Sequence, residues 1–299
     1  MRERLDAGTA VQAVRGALLA HAAGELVAPA RSRAALGPGD LVFTSGRLAD
    51  RGVFGFRAYN DFVGGEHLVA VWEERGRDGG GPRLSAIVHG NELGPRRTGA
   101  IGALAVDAAA PTEEPLRIGL VGAGAQAWAQ IWALLSLRGI AEVRVASRRP
   151  ERAREFAGRL AAELGVTAHP ADSVEDAVRD RDVVITATSS KQPVLEADWI
   201  SSGTHVSCLG LKTAERHEIP PALAERADVV LTDSAAQAAS GPGEPLVPAE
   251  RMLELGAVLA GEAEARTSAD QLTLFYSVGL AGTEVAVAEA LTRRHPAVK

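Results

Sequence analysis

The stretch RIGLVGAGAQA, from Arg117 to Ala127, leaves few folds open to this chain. An apolar, β-prone run ends in Gly122-x-Gly124-x-x-Ala127, and helix-forming residues follow at once. Strand, glycine turn and helix in that order make up the fingerprint of a dinucleotide-binding βαβ unit. Gly122 permits the tight turn, Gly124 lets a pyrophosphate approach the backbone, and Ala127 allows the helix to pack closely on the strand. Ala125 and Gln126 open the helix, whose N-terminus faces the negative charge, and count with the glycines as cofactor-binding candidates.

The rest of the chain supports that reading. From residue 116 onward, apolar runs alternate with helical stretches: Leu116 to Val121, Ala125 to Arg138, Val143 to Ala146, Glu151 to Glu163, Val183 to Ala187, Val206 to Leu209 and Val229 to Leu231. Such alternation predicts a parallel sheet covered on both faces, a doubly wound α/β domain of Rossmann type. The first part reads differently. A helix is expected where Val11, Val14, Leu18 and Leu19 recur, with Thr9 as N-cap and Gly24 as stop. Short runs at Leu41 to Thr44, Leu68 to Trp72 and Leu84 to Val88, separated by glycine-rich stretches such as Arg77 to Pro82, predict a mostly antiparallel sheet. An Ala-rich segment follows Gly94-Pro95, and PTEEP at 111–115 reads as a linker and domain border.

Where many NAD enzymes carry an Asp or Glu after the second strand, this chain has Ser147-Arg148-Arg149. A hydroxyl and two guanidiniums suit a 2′-phosphate, so NADP(H) is expected ahead of NAD(H). Trp128 and Trp132, four apart on the following helix, suit core or interdomain packing better than nucleotide stacking.

Composition excludes several classes of function. At 299 residues, 46% hydrophobic and 23% charged, the chain has room for two globular domains. A net charge of -6 and the lack of a basic, aromatic-interleaved cluster argue against nucleic acid. No long uncharged apolar run points to a membrane, and a cytoplasmic protein is expected. The seven histidines are scattered without metal-ligand spacing and read as surface or satisfied core residues, and Cys208 reads as a buried core residue.

An ordered set of motifs resembles the ornithine cyclodeaminase and mu-crystallin family, with its ketimine reductases and alanine dehydrogenases. It comprises RRTGA at 96–100, VGAGAQ at 121–126, TATS at 186–189, PVL at 193–195, GTHV at 203–206, HEI at 217–219 and FYSVGL at 275–280. The resemblance implies a Rossmann domain, 113–271, inserted into a discontinuous α+β substrate and dimerisation domain, 1–112 with 272–299, and a homodimer. It implies that Arg97 grips a substrate carboxylate, a role a planar guanidinium suits, with Arg31 as a second, loosely assigned arginine beside Arg33. Thr186 and Thr188 are implied at the cofactor.

The chain also departs from the family pattern. Where relatives carry a catalytic lysine, GFRAY at 55–59 places Arg57, which can orient or stabilise an anion but is a poor general base. Where the cyclodeaminases carry an aspartate, Lys212 stands, a candidate proton handler. Arg57, Arg97 and Lys212 together would form a cationic mouth suited to a dicarboxylate, or to an imine or keto acid bearing an extra anionic group. Glu284 opens the final helix, where the helix dipole suffices to explain it. The expected activity is an NADP(H)-dependent oxidoreduction between an imine or 2-oxo acid and the corresponding amino or N-substituted amino acid. Two alternatives stand: a cyclodeaminase with bound dinucleotide, and a non-catalytic NADPH-binding protein.

Overall fold

The computed structural model describes residues 5–37, 39–60, 66–75, 80–241 and 243–294. Helix α1 (Ala7–Ala22) opens it. Its N-cap is Asp6, whose carboxylate accepts from the Thr9 backbone N–H at 2.8 Å, so Thr9, expected as the cap, lies inside the first turn. Six strands follow: β1 (Leu26–Val27), β2 (Ser32–Ala35), β3 (Asp40–Leu48), β4 (Val53–Asn60), β5 (His67–Glu73) and β6 (Arg83–His89), which build one antiparallel sheet with β3 at the junction of β1, β2 and β4. The alternation of apolar residues does not reveal β4. Its inward positions are Val53, Gly55 and Arg57, and neither a glycine nor an arginine reads as core. The glycine-rich separator expected at Arg77 to Pro82 lies partly outside the described residues.

Helix α2 (Leu93–Ala109) leads through the irregular 111–115 linker into β7 (Leu116–Val121). The second unit continues with α3 (Ala125–Leu134), β8 (Ile140–Ala146), α4 (Pro150–Leu164), β9 (Ala168–Pro170), α5 (Val174–Val178), β10 (Val183–Thr186), β11 (His205–Cys208), α6 (Pro221–Arg226), β12 (Val229–Thr232), α7 (Ala235–Ala239), β13 (Met252–Glu254) and α8 (Leu255–Leu259). β14 (Thr273–Tyr276) and α9 (Thr283–Arg294) close the chain. The second sheet is parallel throughout, in the order β13-β12-β14-β11-β10-β7-β8-β9. The chain leaves β7 towards β8 and β9, then crosses back to β10 on the other side, which puts the topological switch point between β7 and β10.

β14, which begins just after the border expected at residue 272, belongs to the parallel sheet. It hydrogen-bonds to both β11 and β12 and completes the parallel sheet, because Thr273–Tyr276 is buried on both faces as an interior parallel strand must be.

The two units share one hydrophobic core running from α1 and α9 through α2 into β7 and β8. Where α2 meets α3, a side chain at Gly99 would stand 2.3 Å from the Ala129 carbonyl oxygen, so only glycine permits this approach. Trp128 and Trp132 stack at 5.9 Å with the Arg96 guanidinium over both rings, the interdomain packing expected of them. Among the described residues, no helix is long and apolar enough to cross a membrane.

Candidate active site

A cleft of about 810 Å³ opens between the two sheets, beside the switch point. It is lined by Arg31, Arg33, Arg57, Arg97 and Lys212, and among the described residues no carboxylate lines it. A chain with net charge -6 thus presents a locally cationic site, which selects an anionic ligand.

Glu284, behind the cleft, organises two of the arginines. Its carboxylate accepts from Arg97 Nη2 and from Arg57 Nη1 at 3.3 Å, with the Thr44 hydroxyl at 3.5 Å, and it is 1% exposed. Burial alone would raise its pKa, but Arg97 and then Arg57 hold it below the usual carboxylate range. The carboxylate reaches them because α9 starts against β3, where Gly282 and Gly46 touch backbone to backbone: a Cβ on Gly46 would lie 2.3 Å from the Gly282 Cα. The reading of Glu284 as a helix-dipole residue is therefore incomplete. Two guanidiniums share one carboxylate, and Arg97 Nε and Nη1 and Arg57 Nε have no hydrogen-bond partner among the described residues.

The loop after β14 places Arg31. Arg31 donates to the carbonyls of Val278 and Gly279, the latter at 2.6 Å, and the Asp233 carboxylate accepts from the N–H groups of Val278 and Leu280 at 2.7 and 2.6 Å. Gly279 has φ 71°, and a Cβ there would meet Arg97 Nη1 at 2.4 Å and Arg31 Nη2 at 3.0 Å, so Arg31 and Arg97 flank one glycine. Lys212 donates from Nζ to the Gly210 carbonyl at 2.6 Å and lies over the Tyr276 ring at 5.5 Å, while the Tyr276 hydroxyl donates to the Lys212 carbonyl. Arg33 pairs with Asp40 at 3.3 Å.

His67 lines the same cleft, although its spacing marks it as an ordinary histidine. Its Nδ1 lies 2.9 Å from Arg57 Nη2, and Tyr59 meets its ring edge-on at 5.5 Å. Burial, then the charges of Arg57 and Arg97, lower its pKa to about 4.

On the dinucleotide side, Gly122 has φ 122° and packs where a Cβ would lie 2.4 Å from the Ala187 carbonyl oxygen. Open space surrounds the position a side chain would take at Gly124. No side chain caps α3, whose first residues include Ala125 and Gln126, so its N-terminal N–H groups are available to a pyrophosphate. Gln126 and Thr188 reach the cleft. Ser147, Arg148 and Arg149 follow β8, next to β7, and the two guanidiniums are exposed without an acidic partner among the described residues. These residues fit a dinucleotide. Thr186 is different: it is fully buried and its hydroxyl donates to Glu218 at 2.9 Å, so it does not reach the cleft. Glu218, also fully buried, further accepts from the Thr188 N–H and hydroxyl at 2.9 and 2.8 Å and from the Gly210 N–H, tying the ends of β10 and β11 together. The HEI motif marked its position but not this role.

Comparison with known proteins agrees with the architecture. The model of the ornithine cyclodeaminase/mu-crystallin family matches residues 75–296. The ketimine reductase mu-crystallin of Mus musculus is 30% identical over 207 residues, 69% of this chain and 64% of its own length. The iminosuccinate reductase of Paracoccus denitrificans is 33% identical over 217 residues, 70% of this chain and 66% of its own. The matched stretch thus spans slightly less than two thirds of either relative. The crystal structure of that iminosuccinate reductase in complex with NAD+ superposes with a TM-score of 0.85 at 26% identity, covering 98% of this chain and 93% of that one. An archaeal alanine dehydrogenase dimer with bound NAD gives a TM-score of 0.85 at 25% identity, covering 98% and 92%. With the dinucleotide turn, the buried arginine of the RRTGA segment and the two-sheet architecture in place, this chain belongs to the ornithine cyclodeaminase/mu-crystallin family.

Proposed function

We propose that this protein is an NADP(H)-dependent oxidoreductase that acts on an imine or 2-oxo acid, or in reverse on the corresponding amino or N-substituted amino acid. The observation that carries this reading is a cleft lined by cations, without a lining carboxylate among the described residues, beside an uncapped helix behind a glycine turn. A bound nicotinamide would supply or take up the hydride at the substrate carbon.

Arg97 holds the substrate carboxylate: its Nη1, beside Gly279, is a buried donor without a partner among the described residues, and a carboxylate accepts from such a charged group. Arg31, across Gly279, closes on the same group, and Arg57 stabilises negative charge nearby. Lys212 handles the proton added to or taken from the substrate heteroatom, since it lines the cleft and its ammonium has a single carbonyl partner among the described residues. Arg148 and Arg149, without acidic partners among the described residues, receive a 2′-phosphate, and Ser147 assists.

The working unit we propose is a homodimer formed through the outer face of the antiparallel sheet. There Phe54 and Phe56 both stack on Trp72 at 5.8 Å, Ile87 is 60% exposed and Phe43 37%. An apolar, aromatic sheet face of this kind suits a self-complementary interface.

Titration with NADPH and NADH, followed by a screen of NADPH oxidation with 2-oxo acids in the presence and absence of ammonium or amines, tests the proposal. NADPH preference with amine-dependent turnover is expected. NADPH binding without turnover on the whole panel would sink the enzymatic reading.

A further inference from the structure

The reaction proposed above makes no use of His67, an uncharged side chain of the cleft held by a specific set of contacts. A guanidinium has donors only, so in its contact with Arg57 Nη2 at 2.9 Å the His67 Nδ1 must accept, and the ring proton resides on Nε2. Arg57 is itself fixed, paired with Glu284 and seated over the Tyr59 ring at 4.1 Å. The ring is fixed from two further sides: Tyr59 meets it edge-on, and Gly94 leaves it room, since a Cβ there would stand 3.2 Å from Nδ1 and 2.7 Å from Arg57 Nη2. His67 Nε2 has no partner among the described residues, while the ring lines the cleft. The lowered pKa keeps the ring uncharged at neutral pH, in keeping with this arrangement.

Two sets of polar groups around the cleft each flank a glycine. Arg31 and Arg97 flank Gly279, and Arg57 and His67 flank Gly94. The first set suffices for one carboxylate. The second offers a guanidinium beside an N–H whose direction is fixed in advance, an arrangement that receives a second oxyanion at little cost in ordering.

We propose that His67 is a specificity-determining residue: its imidazole, held in one tautomer by Arg57, donates the Nε2–H to the second carboxylate of a 2-oxo or 2-imino dicarboxylic acid. This inference rests on the substrate-binding reading given above and deepens it.

Two substitutions separate donation into the cleft from mere support of Arg57. In His67→Asn the amide oxygen stays near the Nδ1 position and serves Arg57, but no donor reaches the Nε2 position. In His67→Gln the amide N–H extends to the Nε2 position. Succinate and propionate, as non-reacting dicarboxylate and monocarboxylate, are titrated calorimetrically into each protein with NADPH present. The expected result is succinate binding weakened at least about tenfold in His67→Asn, propionate binding and Tm unchanged, and succinate binding largely recovered in His67→Gln. Retained succinate preference in His67→Asn, a parallel loss for propionate, or no recovery in His67→Gln overturns the assignment. NADPH oxidation is scored separately on oxaloacetate and pyruvate with ammonium. Absence of turnover on both, with the succinate effect intact, would count against the oxidoreductase reading while leaving the role of His67 standing.

Discussion

The carboxylate of Glu284 is the counter-ion of Arg97, 187 residues earlier in the chain, and both side chains are buried. Because Arg57 shares the same carboxylate, the cluster retains a net positive charge at the edge of the cleft. Such a cluster is stable only while the acid is present, since a buried guanidinium without a counter-ion carries an unrepaid desolvation cost. Its remaining donors are what an incoming carboxylate would satisfy.

Glu284→Gln should therefore destabilise the fold by about 3–5 kcal/mol, because it leaves two buried arginines unneutralised. Thermal or urea unfolding of the variant measures this. A change within about 0.5 kcal/mol would mean that the arginines find other compensation.

Arg97→Lys keeps the charge but removes the planar fork. If Arg97 grips the substrate carboxylate, KM for the true substrate should rise about tenfold or more while affinity for the dinucleotide stays unchanged. Steady-state kinetics beside a cofactor titration gives both values, and an unchanged KM would remove Arg97 from the binding site.

Gly279→Ala places a methyl group where Arg97 Nη1 would stand 2.4 Å away, on a backbone at φ 71° that an L side chain rarely adopts. Substrate affinity should fall with NADPH affinity unchanged, because the strain displaces Arg97 and Arg31 and leaves the Gly122 turn untouched. Crystallography or ligand titration on the variant would register the displacement.

Replacing Arg148 and Arg149 together by alanine should weaken NADPH at least about tenfold and leave NADH nearly unchanged, since only the former carries a 2′-phosphate. Equal losses for the two dinucleotides would assign the arginines to the helix start alone.

Acid should destabilise the protein through two histidines. His205 is fully buried between Thr273 and Ser207, and burial, then the Arg266 charge, lowers its pKa to about 3; that of His67 is lowered to about 4. In the unfolded chain both bind protons near pH 6.5, so the stabilisation from keeping them neutral is complete above pH 6.5 and declines as pH falls towards 4 and 3. Unfolding free energy measured from pH 7.5 to 4 should drop, and His205→Asn should flatten that slope.

In the parallel unit β7, α3, β8, α4, β10, β11 and β12 were legible in the sequence because each is a continuous apolar run or a patterned helix, a signal carried by consecutive residues, whereas β9, α5, α6, α7, β13 and α8, none longer than six residues, were not. β4 was not legible, since Gly55 and Arg57 occupy inward positions and break the period-two pattern. The membership of β14 in the parallel sheet was equally hidden, because a buried four-residue strand states its burial but not its neighbours.

The sequence by itself determined the dinucleotide turn at Gly122 and Gly124, the two-unit plan, and Arg57, Arg97 and Lys212 as the cations to watch, all local facts of residue type and spacing. Only the tertiary structure decided that Glu284 is the shared counter-ion of Arg57 and Arg97, that His67 faces the same cleft with a fixed tautomer, and that Thr186 serves Glu218 instead of the cleft. The reason is physical. Charge neutralisation, tautomer choice and hydrogen-bond satisfaction depend on distances of a few ångströms between residues remote in the chain, and one-dimensional spacing does not encode those distances until the core has packed.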